Sequence, residues 1–201
     1  MGVEGYISPP VPDKGDEGGC ILRQPPFLEE ERMRLRRKPW IDEAIREYDS
    51  FVYLQPKEEL KGRWREVFDN PTAPLWVELG TGKGNFISRL ADIHRAVNFI
   101  GIEVQLGVLY YAAKKCAAAE LTNVRLLRFD AAFLETLFAP GEVDRFFINF
   151  CDPWPKKRHA KRRLTYRGFL DRYARLLAAD GEIHFKSDNA GLFDFTLEEF
   201  N

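Results

Sequence analysis

Only three cysteines occur in 201 residues, and Cys20, Cys116 and Cys151 show no metal-ligand spacing. The odd count argues against a disulfide framework and fits a reducing cytosol. No apolar run reaches the roughly 20 residues that a membrane span needs. The start, MGVEGYISPP, is followed by no continuous apolar core, so it does not read as a secretory signal. Tyr6 stands where a myristoylation motif wants Ser or Thr. The expected location is therefore cytoplasmic, with no membrane partner. An excess of one charge is missing as well: 30 Lys and Arg against 31 Asp and Glu leave a net charge of −1. Internal repeats are absent too, and 201 residues suit one domain with a sizeable core.

What the total hides, the distribution shows. From Lys156 to Arg167 there are seven Lys or Arg and no acid, and Arg32 to Lys38 forms a second acid-free basic cluster. A neutral total with two basic patches fits a protein whose other face is acidic. Residues 1–33 are rich in Gly, Pro, Asp and Glu without apolar periodicity, which predicts a disordered or loosely attached tail. Order is expected from about Arg34, with a helix from Pro39-Trp40 to about Tyr48.

Strand-like and helical segments then alternate. Leu75 to Leu79, Asn98 to Glu103, Val124 to Phe129, Asp144 to Phe150 and Glu182 to Ser187 read as strands. Asn85 to Arg95, Gln105 to Ala119 and a segment capped by Thr165 and running to Leu177 read as helices. A last helix starts near Asn189. Such alternation predicts an α/β fold with a mostly parallel, doubly wound sheet.

The segment LWVELGTGKGNF is a strand, a glycine turn and a helix start. It lacks the P-loop pattern, and its third glycine comes one residue early for a dinucleotide fingerprint. Gly80, Gly82 and Gly84 allow a sharp turn and close approach of a ligand. Glu78 precedes this loop, Glu103 ends the second strand, Asp130 follows the third and Asp152 the fourth. Parallel strands present their carboxyl ends on one edge, so these acids are expected to line one crevice. One strand-end carboxylate is commonly just solvated, but four in register behind a glycine loop are not explained that way. The crevice would repel a pyrophosphate. It suits an adenosine bearing an ammonium and a sulfonium, as in S-adenosylmethionine.

The run FCDPWPKKRHAKRR follows the fourth strand. Its prolines cannot continue a strand. They set a carboxylate and an aromatic surface beside cations suited to phosphate, as needed to hold a base while gripping its backbone. Trp154 either stacks on a base or packs beneath the loop, and both readings stand. His159 either titrates or serves as a neutral hydrogen-bonding group.

Taken in order, VELGTGKGNF, FIGIE, NVRLLRFDA, EVDRFFINFCDPWPKKRHAKRRLTYRGFL and IHFKSDN resemble the bacterial tRNA (guanine-N7-)-methyltransferases, from about Arg34 to Asn201. The D-P-W-P-K-K-R-H-x-K-R-R string is specific to that family, whereas the glycine loop is shared among methyltransferases. The resemblance implies a Rossmann-like class I methyltransferase fold that transfers a methyl group to N7 of a variable-loop guanine of tRNA. It implies S-adenosylmethionine contacts at Glu78, Gly80, Gly82, Glu103, Asp130 and Asp152, with Asp152 catalytic. It implies substrate contacts at Lys156 and Asp188, and RNA contacts at Arg158, His159, Lys161, Arg162 and Arg163. No metal is implied, and the oligomeric state stays open between monomer and homodimer. The chain departs from the family pattern at Cys151, where serine is expected. It also ends soon after the fifth strand, so the domain at 34–201 is expected to lack a final antiparallel hairpin and to expose a sheet edge.

Three rivals remain on the residues alone. A cytosine-C5 methyltransferase would need Cys151 as a nucleophile. A nicotinamide oxidoreductase rests on the glycine loop only. A non-catalytic RNA-binding module would use the basic run without the crevice.

Overall fold

The computed structural model describes residues 3–7, 38–55 and 57–200. Seven strands form one sheet: β1 (Val3–Ile7), β2 (Val52–Tyr53), β3 (Leu75–Leu79), β4 (Asn98–Glu103), β5 (Val124–Arg128), β6 (Val143–Asn149) and β7 (Leu177–Ser187). Their order is β1-β7-β6-β3-β4-β5-β2, with every pairing parallel except that of β1 with β7. The helices are α1 (Ile41–Ala44), α2 (Asn85–Ile93), α3 (Leu106–Ala118), α4 (Leu134–Leu137), α5 (Arg167–Leu176) and α6 (Ala190–Phe200). This is the doubly wound, Rossmann-like architecture expected from the alternation. Among the described residues no helix is long and apolar enough to cross a membrane.

Buried parallel strands read as near-continuous apolar runs because helices cover both faces. In β3, Leu75, Val77 and Leu79 are fully buried on one face, packed with Phe146, Tyr173 and Leu176. On the other face Phe99, Val124 and Leu126 pack with Ile87, Leu109, Ala112 and Ala113 of α2 and α3. The alanines let helix and sheet backbones approach closely. Fully buried Trp64 closes the first core, donating its indole Nε1–H to the Leu137 carbonyl at 2.8 Å. Its backbone N–H donates to the buried Glu142 carboxylate at 2.9 Å, which also accepts from Gly62 and Ala139, each at 2.8 Å.

Several expectations need correction. The helix read from residue 39 to 48 is one α turn, Ile41–Ala44, continued by a 3₁₀ segment, Ile45–Tyr48. Thr165 does not cap α5, whose N-cap is Tyr166 without a side-chain bond; Thr165 is buried and accepts from the Thr196 hydroxyl at 2.7 Å. The fifth strand begins at Leu177, not Glu182, and its pairing with β6 jumps from Val143 opposite Leu177 to Arg145 opposite Glu182, so the extra residues 178–181 bulge out of register. Within the expected tail, residues 3–7 form a strand that pairs with β7 along the sheet edge expected to be open. Residues 8–37, which include Cys20, the expected start of order near Arg34 and all of the basic cluster from Arg32 except Lys38, lie outside the described residues.

Gly84 sits at the N-terminus of α2 with φ +74°, and a Cβ there would fall 2.7 Å from Cα and Cβ of Ala112. Left-handed backbone costs a non-glycine residue about 1–2 kcal/mol, and overpacking typically adds about 1–3 kcal/mol. Gly84→Ala is expected to lower the unfolding free energy by about 2–5 kcal/mol. Urea unfolding measures this, and the denaturant slope should stay unchanged.

Candidate active site

The loop after β3 turns through three left-handed glycines, Gly80 (φ +73°), Gly82 (φ +56°) and Gly84. The backbone N–H groups of Gly80 and Thr81 both donate to the Ile102 carbonyl, at 2.9 and 3.0 Å, tying the loop to β4. A Cβ on Gly80 would meet Leu164 at 4.0 Å and one on Gly82 the Gly80 carbonyl at 3.9 Å, ordinary contacts, so it is the positive φ rather than crowding that calls for glycine at these two positions. The first two glycines thus provide conformation, and the third provides packing room.

Glu78 points from the end of β3 into the fold and is buried. Its Oε2 accepts from the Thr81 hydroxyl at 2.5 Å, and its Oε1 from Asn149 Nδ2 at 3.2 Å, at the end of β6. Burial pushes its carboxyl up to about 7, against the pull of these donors. Glu103, half-buried at the end of β4, accepts from the backbone N–H of Gly82 at 3.1 Å and of Gln105 at 2.9 Å. Burial also raises its pKa, and the negative charge of Asp152 adds to the rise. Glu78 and Glu103 repel each other in turn. Asp130, just past β5, accepts from Ala132 N–H at 2.9 Å and so caps the turn Ala131–Phe133. Asp152 is exposed, past the end of β6.

Across the sheet the acids therefore follow strand order: Asp188 after β7, then Asp152, Glu78, Glu103 and Asp130. The expected gathering at one edge is what the register gives. Lys83, the loop's own cation, lies with its ammonium 5.9 Å over the Tyr111 ring of α3. These strand ends offer acceptors to hydroxyls, amines and positive charge, and little to phosphate.

Beyond β6 the chain leaves the sheet through Phe150 (φ +50°), whose N–H donates to the Lys186 carbonyl at 2.8 Å, and reaches Trp154 (φ +42°). Two bulky aromatics in left-handed backbone make this a strained turn, at about 1–2 kcal/mol each. The basic run then forms a 3₁₀ segment, Lys157–Arg162. Lys156, Lys157, Arg158, Lys161 and Arg162 are all exposed, and none is ion-paired with a described residue. The half-buried Trp154 meets His159 edge-on at 5.8 Å, with the Arg162 guanidinium 5.1 Å over its ring. His159 also takes an Arg158 Nε contact at 3.3 Å. Arg163 departs from the expected outward grip on RNA. It is half-buried, donating from Nε to the Pro153 carbonyl and from Nη2 to the Trp154 carbonyl, both at 3.0 Å. A cleft of about 470 Å³ adjoins this turn, between Pro153, Pro155, Lys157, Arg163 and the α6 residues Leu192 and Phe195.

Burial pushes the Cys116 and Cys151 thiols up to about 12, which disfavours the thiolate that a cytosine-C5 transfer through Cys151 would need. Among the described residues no group of His, Cys, Asp and Glu could hold a metal ion.

A doubly wound sheet with a glycine loop after its first core strand and carboxylates at the neighbouring strand ends has the plan of a class I methyltransferase, and residues 72–201 match the family described as "Putative methyltransferase". Curated relatives narrow the family. A Geobacillus thermodenitrificans protein named tRNA (guanine-N(7)-)-methyltransferase is 52% identical over 165 residues, covering 82% of this chain and 76% of the relative. Proteins of that name from Geobacillus kaustophilus (53% over 165 residues, 82% of this chain and 75% of the relative) and Streptococcus pyogenes (48% over 169 residues, 84% and 79%) match as well. The chain belongs to the tRNA (guanine-N7-)-methyltransferase family.

The raised Glu78 pKa has a consequence for stability. The folded state keeps this proton to higher pH than the unfolded chain, where the value is near 4.5. The stability linked to the neutral carboxyl is thus fully present below that value and is lost as pH rises through about 7. The loss amounts to at most about 3 kcal/mol. Glu78→Gln should flatten the fall in unfolding free energy between about pH 5 and pH 8, as read from urea titrations at each pH.

Proposed function

We propose that this chain transfers a methyl group from S-adenosylmethionine to N7 of a guanine in the variable loop of tRNA. The observation that carries the reading is the juxtaposition of carboxylates at the ends of neighbouring parallel strands, beside the glycine loop, with the exposed basic run that follows β6. The names of the relatives support the substrate and the atom modified.

The residues present fit the donor. Its methyl group is electrophilic and needs no further activation. Gly80 and Gly82 turn the loop beside it, Glu103 offers carboxylate lone pairs at the second strand end, and Asp130 does so at the third. Glu78 sits beneath the loop and holds it through Thr81. The net negative environment favours a cationic ligand over a phosphorylated one.

Guanine N7 holds an in-plane lone pair and no proton, so attack on the methyl requires no general base. Asp152 accordingly acts as an orienter: it accepts from base N–H donors and offsets the positive charge that grows on the ring. On this reading Lys156, in the turn after β6, and Asp188, just past β7, contact the target nucleotide. Alignment of reacting pairs of this kind is worth on the order of 7–11 kcal/mol, and fixed charges add to it. Arg158, Lys161 and Arg162 hold backbone phosphates, with His159 supporting Arg158 at the ledge.

Incubation of unmodified tRNA with the donor, followed by nucleoside mapping, should show 7-methylguanosine at one variable-loop position. Label elsewhere, or none, would overturn the reading. Asp152→Ala is expected to lower kcat by at least about a hundredfold (about 2.7 kcal/mol) while donor affinity changes less than about threefold; equal losses in both would contradict an orienting role. In Lys161→Glu/Arg162→Glu, tRNA binding should weaken and the salt slope should fall by about 0.9 per lost phosphate contact. Donor binding, followed by calorimetry, should be untouched.

A further inference from the structure

We infer that Arg163 is a positioning residue. Its guanidinium holds the Asp152-Pro153-Trp154 turn in its strained shape and thereby fixes the Asp152 carboxylate; it does not grip RNA phosphate. The inference rests on the proposed function for what Asp152 does there, but its geometry is independent of it.

The turn cannot hold itself. Pro153 and Pro155 have no N–H to donate, and residues 151–155 belong to no helix or strand. Phe150 and Trp154 both sit at positive φ, a conformation that persists only when surrounding structure imposes it. One end is fixed from the sheet, through the Phe150 N–H on the Lys186 carbonyl. The other end is fixed from below by Arg163. Two donors of one guanidinium reach two successive carbonyls, those of Pro153 and Trp154, at 3.0 Å each. The opposite side of the same group lies 4.2 Å over the Phe195 ring of α6. Asp152 lies between the two anchors.

Its neighbour shows the contrast. Arg162 is exposed, and its guanidinium lies over the face of Trp154. Adjacent arginines of one basic run thus have different surroundings. The planar fork of arginine matches two carbonyls spaced along a chain, and the point charge of lysine does not. Charge alone therefore does not replace Arg163, whereas it largely would for a phosphate ligand.

The test compares Arg163→Lys with Arg162→Gln. In Arg163→Lys, kcat at saturating tRNA should fall tenfold or more. The tRNA Kd and the slope of log Kd against log salt should stay within twofold and within 0.3 of wild type, respectively (roughly the error of such titrations). Arg162→Gln should show the converse, a weaker Kd and a reduced slope. A structural readout runs alongside: acrylamide quenching of Trp154, taken as the difference between each protein and its Trp154→Phe counterpart, should rise in Arg163→Lys. Urea unfolding confirms that each variant is folded. An Arg163→Lys protein with intact kcat and a salt slope reduced by about one would overturn the inference. So would equal losses in kcat and tRNA affinity, unchanged quenching, or wild-type behaviour throughout. If the wild-type chain fails to methylate tRNA, the proposed reaction is wrong, and the quenching comparison still decides the role of Arg163.

Discussion

The parallel pairing of β3 with β6 on one side and β4 on the other is the constraint from which the site follows. Parallel register forces every strand of this group to end on the same side of the sheet. Each end then delivers its next polar residue to a common rim. Because β3 and β4 are buried through most of their length, their register is fixed by the core rather than by the rim. A slip of one residue would turn Leu75, Val77 and Leu79 out of their cluster. The like charges of the rim repel one another, and the core holds them together against that repulsion.

This arrangement separates two electrostatic tasks within a chain of almost no net charge. The acidic rim favours a cation. The 3₁₀ segment next to it favours a polyanion. Glu78 and Glu103 are half-enclosed or buried and act through short, fixed hydrogen bonds, whereas the cations are exposed and therefore sensitive to salt. A donor with positive charge and a substrate with many negative charges are thus drawn to adjoining places by opposite fields.

Much of this was readable in the residues. LWVEL and NFIGIE are apolar enough to be buried strands, and both lie where they were expected. The acids behind the strands needed only the rule that parallel strands share an edge. Other features were not legible for physical reasons. Val52–Tyr53 is a two-residue strand that exists through its pairing with Leu126 and Leu127, and two residues carry no periodicity. Thr165 has the chemistry of a cap, but burial against Thr196 directs its hydroxyl elsewhere. Arg163 looks like its neighbours in a string of cations. Only the fold shows that its fork meets two carbonyls ten and nine residues back, and a run of letters contains no such sign.

Trp64 and Glu142 bear on where the folding unit begins. The match to the family model starts at residue 72, but the indole of Trp64 and the ring of Phe68 fill the interior under β3 and β6. The Glu142 carboxylate, inside the matched part, has its acceptors satisfied by N–H groups of Gly62 and Trp64, outside it. A piece excised where that match starts would carry a hollow and a desolvated anion stripped of two donors. The limit of that match is thus not the border of the folding unit: the relatives align over 165 residues or more, and the packing likewise requires the segment that begins no later than Ile41.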